Sequence, residues 1–208
     1  MPAALHHDPH RPRRGPGQEY KEDIASGGRS AVAGGFAAVA CMANTHPVND
    51  DPAMTDFILD RAKQDSPARV YPVAAATRGL EGTAMTEMSA LVDAGAVAFS
   101  DDGKTIMDGG VMRRILEYSR IVDSPVITHG EDRHLVAGGV INAGPVSTRL
   151  GLPGHPAGAA EILVTRDLLL AALTGAHIPV AHVSPRRALA ALSPARGTCV
   201  TGTPAAPP

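Results

Sequence analysis

The segment Ala96–Gly103, with the sequence AVAFSDDG, is the clearest indication of the fold, because an apolar run is followed after one serine by two acidic residues. A short apolar run bounded by a turn signal predicts a buried strand, and Asp101 and Asp102 stand where that strand ends. The same arrangement recurs at His129 and at His182, each of which follows a β-branched, apolar run. Three predicted strands therefore end in a residue type that binds metal ions.

Short apolar runs alternate with stretches of helical period from residue 36 onward, which is typical of βα units around a parallel sheet. The runs predict strands at Phe36–Met42, Arg69–Ala74, Ala96–Phe99, Pro125–Thr128, Ile178–Val183 and Thr198–Thr201. Helices are expected at Asp23–Ala33, Thr55–Asp65, Met85–Ala94, Gly110–Ile121, Ala159–Leu173 and Pro185–Ala195. The sequence thus predicts an α/β fold, a partial (β/α)8 barrel of the TIM type with about six to seven of the eight βα units.

The two ends of the chain differ in amino-acid composition from its middle. Residues 1–17 are basic and broken by proline, and residues 202–208 are rich in Pro and Ala, so both are predicted to be irregular, flanking a partial barrel over 18–201. Gly34–Gly35 should end the first helix by adopting a left-handed conformation. The Gly- and Pro-rich segment Ala137–Pro156 is long for a βα connection, which predicts either an active-site loop or a mobile one.

Composition limits the function classes. Of 208 residues, 44% are hydrophobic and 19% charged, with a formal net charge of −2, which argues against disorder and against a field that attracts nucleic acid. There is no signal peptide and no apolar run of membrane-spanning length, and Cys41 and Cys199 lack CxxC spacing. We therefore expect a cytoplasmic location and small molecules or protein subunits as partners, rather than nucleic acid or a membrane.

The strand ends suggest metal chemistry. In a (β/α) barrel, reactive groups lie at the carboxyl ends of the strands, where Asp102, His129 and His182 are predicted to stand. Imidazole and carboxylate together suit Zn²⁺, and one or two zinc ions would supply a nucleophile from water at neutral pH without an activated Ser or Cys. Cys41 lies inside a predicted strand and is interpreted as a core residue. The alternative for each strand-end residue is a polar cap without a ligand.

A series of motifs resembles, in order, that of the bacterial dihydroorotases of the amidohydrolase superfamily. The resemblance covers residues 8–201 and is carried by Gly17–Ile24, Met42–Pro47, Phe99–Gly103, His129–Asp132, Leu152–Pro156, Glu161, Arg166–Asp167 and His182–Ser184. It implies a zinc-dependent barrel hydrolase of cyclic amides. The implied reaction is the interconversion of dihydroorotate and N-carbamoyl-L-aspartate in de novo pyrimidine biosynthesis.

The resemblance also implies metal ligands. His10, Asp102, His129 and His182 would bind zinc, with Asp102 as the catalytic carboxylate in the place of the carboxylated lysine of hydantoinases. Asp101 is the alternative to Asp102, and we favour Asp102.

Substrate binding is implied at two further positions. The guanidinium of Arg14 would pair with the carboxylate of the substrate, and the side-chain amide of Asn44 would orient it. The alternatives are a solvated basic arm around Arg14 and a turn-forming role for Asn44.

The chain departs from the family pattern at both ends. In the pattern Asp-x-His-x-His-x-Arg-Glu-Pro-Gly, laid on Asp8–Gly17, Pro12 replaces a histidine and Gly15 replaces the glutamate. The family continues beyond Thr201 through strands that include an aspartate acting as general base, whereas this chain ends at Pro208. A truncated chain without that base is expected to be slower by roughly 10²–10⁴.

Two other functions fit the same motifs. A non-catalytic dihydroorotase-like subunit would serve as a scaffold for aspartate transcarbamoylase, and the replaced residues Pro12 and Gly15 favour it. A hydantoinase or allantoinase relative is disfavoured, because Lys21, Lys63 and Lys104 do not stand at the strand end where such enzymes carry their lysine. A homo-oligomer is a further partner arrangement that the resemblance allows.

Overall fold

The computed structural model describes residues 23–183, residue 192 and residues 200–204. The helices are α1 (Ile24–Ala33), α2 (Pro52–Asp65), α3 (Met88–Asp93), α4 (Gly109–Ile121), α5 (Arg133–Val136), α6 (Pro145–Leu150) and α7 (Gly158–Thr174), with a 3-10 turn at Arg78–Leu80. The strands are β1 (Ala38–Cys41), β2 (Arg69–Ala74), β3 (Ala98–Phe99), β4 (Thr128–His129), β5 (Ile141–Asn142), β6 (Gly154–His155), β7 (Ile178–Val183) and β8 (Val200–Pro204). The predicted helix Pro185–Ala195 lies outside the described residues apart from Leu192.

The strands pair in parallel, in two groups of neighbours. One sheet has the order β1-β2-β3 and the other β4-β7-β8, with every pair parallel. Phe99 joins the groups, because its N–H donates to Pro125 O at 3.0 Å and its carbonyl accepts from Ile127 N at 2.7 Å. Parallel strands linked by helices confirm the predicted α/β class, and they place the carboxyl ends of β1, β3, β4 and β7 along one edge.

The helix boundaries follow local capping chemistry. The Asp23 carboxylate accepts from Ser26 N at 2.6 Å and begins α1, and Gly35, with φ 83°, takes the left-handed conformation predicted after it. Helix α3 begins three residues later than predicted, because Met85 forms an antiparallel bridge with Thr77 instead of entering the helix. Strand β8 continues to Pro204, past the predicted boundary at residue 201, since β7 supplies its backbone partners.

The principal core lies between the sheets and the helices. Its largest fully buried side chains come from β3, α3, α4 and β7, and they include Phe99, Met88, Leu91, Met112, Ile115, Leu116 and Ile178. A second cluster packs α1 and α2 on β1 and β2 through Ile24, Val39, Ile58 and Val70. Among the described residues, no helix is both long and apolar enough to cross a membrane.

The segment Ala137–Pro156 is ordered into small elements rather than forming a bare loop. Strands β5 and β6 pair in parallel, Ile141 with Gly154 and Asn142 with His155, and α6 lies between them. These backbone hydrogen bonds and the helix satisfy groups that a bare loop leaves to water, and whether the segment moves stays a prediction. The pairing also carries His155 to the strand-end edge.

Candidate metal centre

Asp102 and His129 are brought together at the shared edge of the sheet. Asp102 is the third residue after β3 and is buried, and His129 is the last residue of β4, with 27% of its side chain exposed. The distance from Asp102 Oδ1 to His129 Nδ1 is 3.9 Å. Two ligands of one tetrahedral zinc ion are about 3.3 Å apart when each bond is about 2.0 Å, so a small side-chain movement would bring both onto one ion.

The carboxylate of Asp101 is bound by residues that follow β2. Its Oδ1 accepts from Ala76 N and Thr77 N, both at 2.9 Å, and its Oδ2 accepts from the hydroxyl of Thr77. Burial raises the pKa of Asp101, and these hydrogen bonds partly oppose the rise because they favour the ionised form. Asp101 thus ties β3 to the end of β2, whereas Asp102 lies beside His129.

Two residues without a predicted role extend the site. Glu131 Oε2 lies 3.7 Å from His129 Nε2, and Glu131 Oε1 lies 3.4 Å from His155 Nδ1. These three side chains and Asn142 line a cavity of about 80 Å³ that reaches the start of α7. Glu131 and His155 both belong to motifs that the sequence singled out, but nothing in the spacing of those motifs shows that they meet.

Asn44 follows β1 at the same edge and is half-buried. Its Oδ1 is fully buried and has no hydrogen-bond partner among the described residues. The neighbouring turn is held by other groups, since Thr45 Oγ1 donates to Pro47 O at 2.6 Å and Asn49 Nδ2 donates to Val73 O at 3.1 Å. A buried acceptor without a partner is uncommon in a folded protein, so Asn44 Oδ1 is available to accept a hydrogen bond from a bound molecule.

The remaining predicted site residues are only partly covered by the structure. The backbone of His182 lies in β7, one residue beyond Ala181, which pairs with His129. Its side chain, and the whole of His10 and Arg14, lie outside the described part of the chain. Among described side chains, no three His, Cys, Asp or Glu residues converge as a complete metal site. The donors that do meet, a carboxylate and an imidazole, are of the kind that zinc prefers.

Solved structures with a similar fold include hydantoinases. An L-hydantoinase (dihydropyrimidinase) from Arthrobacter aurescens superposes with a TM-score of 0.66 over 84% of this chain and 41% of its own, at 19% sequence identity. A D-hydantoinase from a Bacillus species gives a TM-score of 0.62 at 19% identity, over 86% of this chain and 42% of its own. At this level of identity the likeness defines the fold class, the α/β fold of these cyclic-amide hydrolases.

Sequence comparison narrows that class to one family. The dihydro-orotase-like family profile matches residues 8–188. A dihydroorotase from Syntrophobacter fumaroxidans is 51% identical over 196 residues, and one from Syntrophotalea carbinolica is 52% identical over 190 residues. These alignments cover 93% and 90% of this chain, and 45% of each relative. The chain therefore belongs to the dihydro-orotase-like family and spans a little under half the length of these relatives.

Proposed function

We propose that the chain is part of a (β/α)8 barrel whose strand-end edge forms a zinc-dependent dihydroorotase site. The reaction is the interconversion of dihydroorotate and N-carbamoyl-L-aspartate. The observation that carries the proposal is the 3.9 Å approach of Asp102 to His129 at the carboxyl edge of a parallel sheet. The chain is 51% identical to a dihydroorotase over 93% of its length. This supports dihydroorotate as the substrate rather than a hydantoin, because the similarity to hydantoinases concerns the fold alone.

Asp102 and His129 are the proposed zinc ligands that the structure brings together. His182 and His10 complete the proposed set of ligands, which would bind one or two zinc ions. The backbone of His182 directly follows Ala181, the residue of β7 that pairs with His129. When bound, zinc supplies Lewis acidity toward the ring amide and lowers the pKa of water. Asp102 is the proposed catalytic carboxylate because it would hold the zinc ion that supplies this chemistry.

The chain's own polar groups would bind and orient the substrate. We assign Asn44 Oδ1, a buried acceptor without a partner among described residues, to a ring N–H of dihydroorotate. Arg14 would pair with the substrate carboxylate, because a guanidinium and a carboxylate form two parallel hydrogen bonds. In this proposal the end of β1 and the N-terminal arm bind the substrate, and the ends of β3, β4 and β7 bind the metal.

A hydrolysis assay on the zinc-reconstituted chain tests the proposal. Chromatography measures the ring opening of each substrate. We expect the chain to open dihydroorotate and not hydantoin, and we expect Asp102→Asn to lose this activity. A folded, zinc-loaded chain that opens hydantoin instead would contradict the assigned substrate. A folded chain that binds no zinc, opens neither ring and associates with aspartate transcarbamoylase would contradict the enzyme and support a scaffold. A homo-oligomer and a cytoplasmic location remain sequence-based proposals.

A further inference from the structure

The side chain of Arg166, on α7, holds the segment that follows Asp102. Its Nη1 donates to the carbonyl of Ile106 at 2.8 Å and to the carbonyl of Met107 at 2.9 Å. Both carbonyls lie in the stretch between the end of β3 and the start of α4. One guanidinium group therefore fixes the far end of the loop that begins at Asp102.

The same guanidinium is itself held by a buried carboxylate. Arg166 Nε and Nη2 donate to Asp167 Oδ1 at 2.9 and 2.7 Å, and Asp167 is 1% exposed. Burial raises the pKa of Asp167, while the charge of Arg166 and its hydrogen bonds oppose the rise. Arg166 and Asp167 also line one small cavity together with Thr128 and His129 of β4, so the ion pair lies close to the strand end that carries His129.

A second contact joins the loop to β4 directly. Thr105 Oγ1 donates to the carbonyl of His129 at 2.8 Å. The loop 103–107 is thus attached at one point to the residue proposed to bind zinc and at two points to Arg166. These contacts join the loop that follows Asp102 both to His129 and to α7.

We propose that Arg166 is a positioning residue for the metal centre, acting through the loop 103–107 to fix the spacing of Asp102 and His129. This inference rests on the proposed function, because it requires zinc at these two side chains. Arg166 itself touches neither proposed ligand in the contacts described above. Its role would depend on the planar guanidinium group, whose several N–H donors bind two carbonyls and a carboxylate at the same time.

The test compares Arg166→Lys with Arg113→Lys. Lysine keeps the charge but cannot span the three acceptors, whereas Arg113 forms an exposed pair with Glu117 on α4. Zinc affinity is measured by competition with a chromophoric chelator, and the site geometry by the visible spectrum of the Co²⁺-substituted chain. For Arg166→Lys we expect about 10–100-fold weaker zinc binding, the usual effect of losing an outer-shell partner, and an altered Co²⁺ spectrum. Arg113→Lys should match the wild-type chain in both.

Thr105→Val supplies a second variant that leaves the buried ion pair intact. It removes one anchor of the same loop, so its zinc affinity should fall and its Co²⁺ spectrum should change in the same direction. If the wild-type chain binds zinc and either Arg166→Lys or Thr105→Val has the same zinc affinity and Co²⁺ spectrum as that chain, the positioning role is wrong and the proposed function is unaffected. A folded wild-type chain that binds no zinc would overturn the proposed function and this inference with it.

Discussion

At the scale of single residues, the adjacent carboxylates Asp101 and Asp102 have different surroundings. Asp101 accepts three hydrogen bonds from Ala76 and Thr77, and Asp102 lies beside His129. The chain turns directly after Asp101, where Lys104 N donates to Asp101 O at 2.8 Å, and the two neighbouring carboxylates contact different groups. The structural bonds of Asp101 therefore support Asp102 as the proposed ligand.

Asp101→Asn should destabilise the fold. The amide oxygen can still accept from Ala76 N and Thr77 N, which share Oδ1, but the NH₂ group replaces Oδ2 and leaves the buried Thr77 hydroxyl without its acceptor. We expect the free energy of unfolding to fall by about 1–3 kcal/mol, measured by urea denaturation. Unchanged stability would show that these hydrogen bonds do not hold the end of β2 to β3.

Gly130 makes room for helix α7 directly after His129. A Cβ atom built on Gly130 would lie 2.7 Å from Val164 Cγ2 and 3.4 Å from Val164 N. Gly130→Ala should therefore cost about 1–3 kcal/mol of stability through overpacking. Combining it with Val164→Ala removes the clashing methyl group, so the double variant should be more stable than the sum of the single losses predicts. Strict additivity in denaturant unfolding would contradict the close contact.

At the scale of elements, helix α4 follows the proposed ligand loop and begins at an exposed cap. The Asp108 carboxylate accepts from Gly110 N at 2.7 Å and Val111 N at 2.8 Å, and these hydrogen bonds, that of Val111 first, lower the pKa of Asp108. A pKa that is lower in the folded than in the unfolded chain stabilises the fold above the unfolded value of about 3.9. That stabilisation is lost as the pH falls through the folded value.

Asp108→Asn separates this charge effect from capping itself. Asparagine also caps helices but does not titrate. The wild-type chain should have a higher Tm than Asp108→Asn at neutral pH, and the difference should shrink as the pH drops below about 4. Thermal unfolding at a series of pH values checks this, and a Tm difference that stays constant through the acid range would count against the charged cap.

The segment Ala137–Pro156 shows why element order is easier to predict than local detail. Its Gly and Pro content indicates a loop, and no periodicity marks strands of two residues. The pairing of Asn142 with His155 depends on the return of the chain after α6, which is a contact between distant residues. The helix α6, with Pro145 at its first turn, has only six residues, and helices this short form only with tertiary support.

At the scale of the whole molecule, Phe99 holds the two groups of strands together. Its backbone bonds to Pro125 and Ile127, and its side chain is 0% exposed within the principal core. Phe99→Ala should lower the free energy of unfolding by about 3–5 kcal/mol, a large part of the about 5–15 kcal/mol typical of a folded domain. The control Phe57→Ala, at a side chain on α2 that is 45% exposed, should change it by no more than about 0.5 kcal/mol.

The sequence predicts the alternating architecture well and the site in part. Strands β2 and β7 match their predicted bounds, because β-branched runs and flanking turn residues mark them clearly. Asp102 and His129 could be placed at one edge since parallel strands share a direction. The approach of Glu131 and His155 to His129, and the Arg166 contacts with the loop 103–107, depend on side-chain directions that no spacing specifies.

The most direct test of the central claim is the zinc affinity of Asp102→Asn beside that of Asp101→Asn. We predict that the wild-type chain and Asp101→Asn bind zinc alike, although the latter is less stable. Asp102→Asn should bind more weakly by more than the about 10–100-fold expected for an outer-shell residue, while circular dichroism shows that it is folded. Wild-type zinc affinity in folded Asp102→Asn, or a selective loss in Asp101→Asn, would contradict the assignment of this strand end as the metal centre.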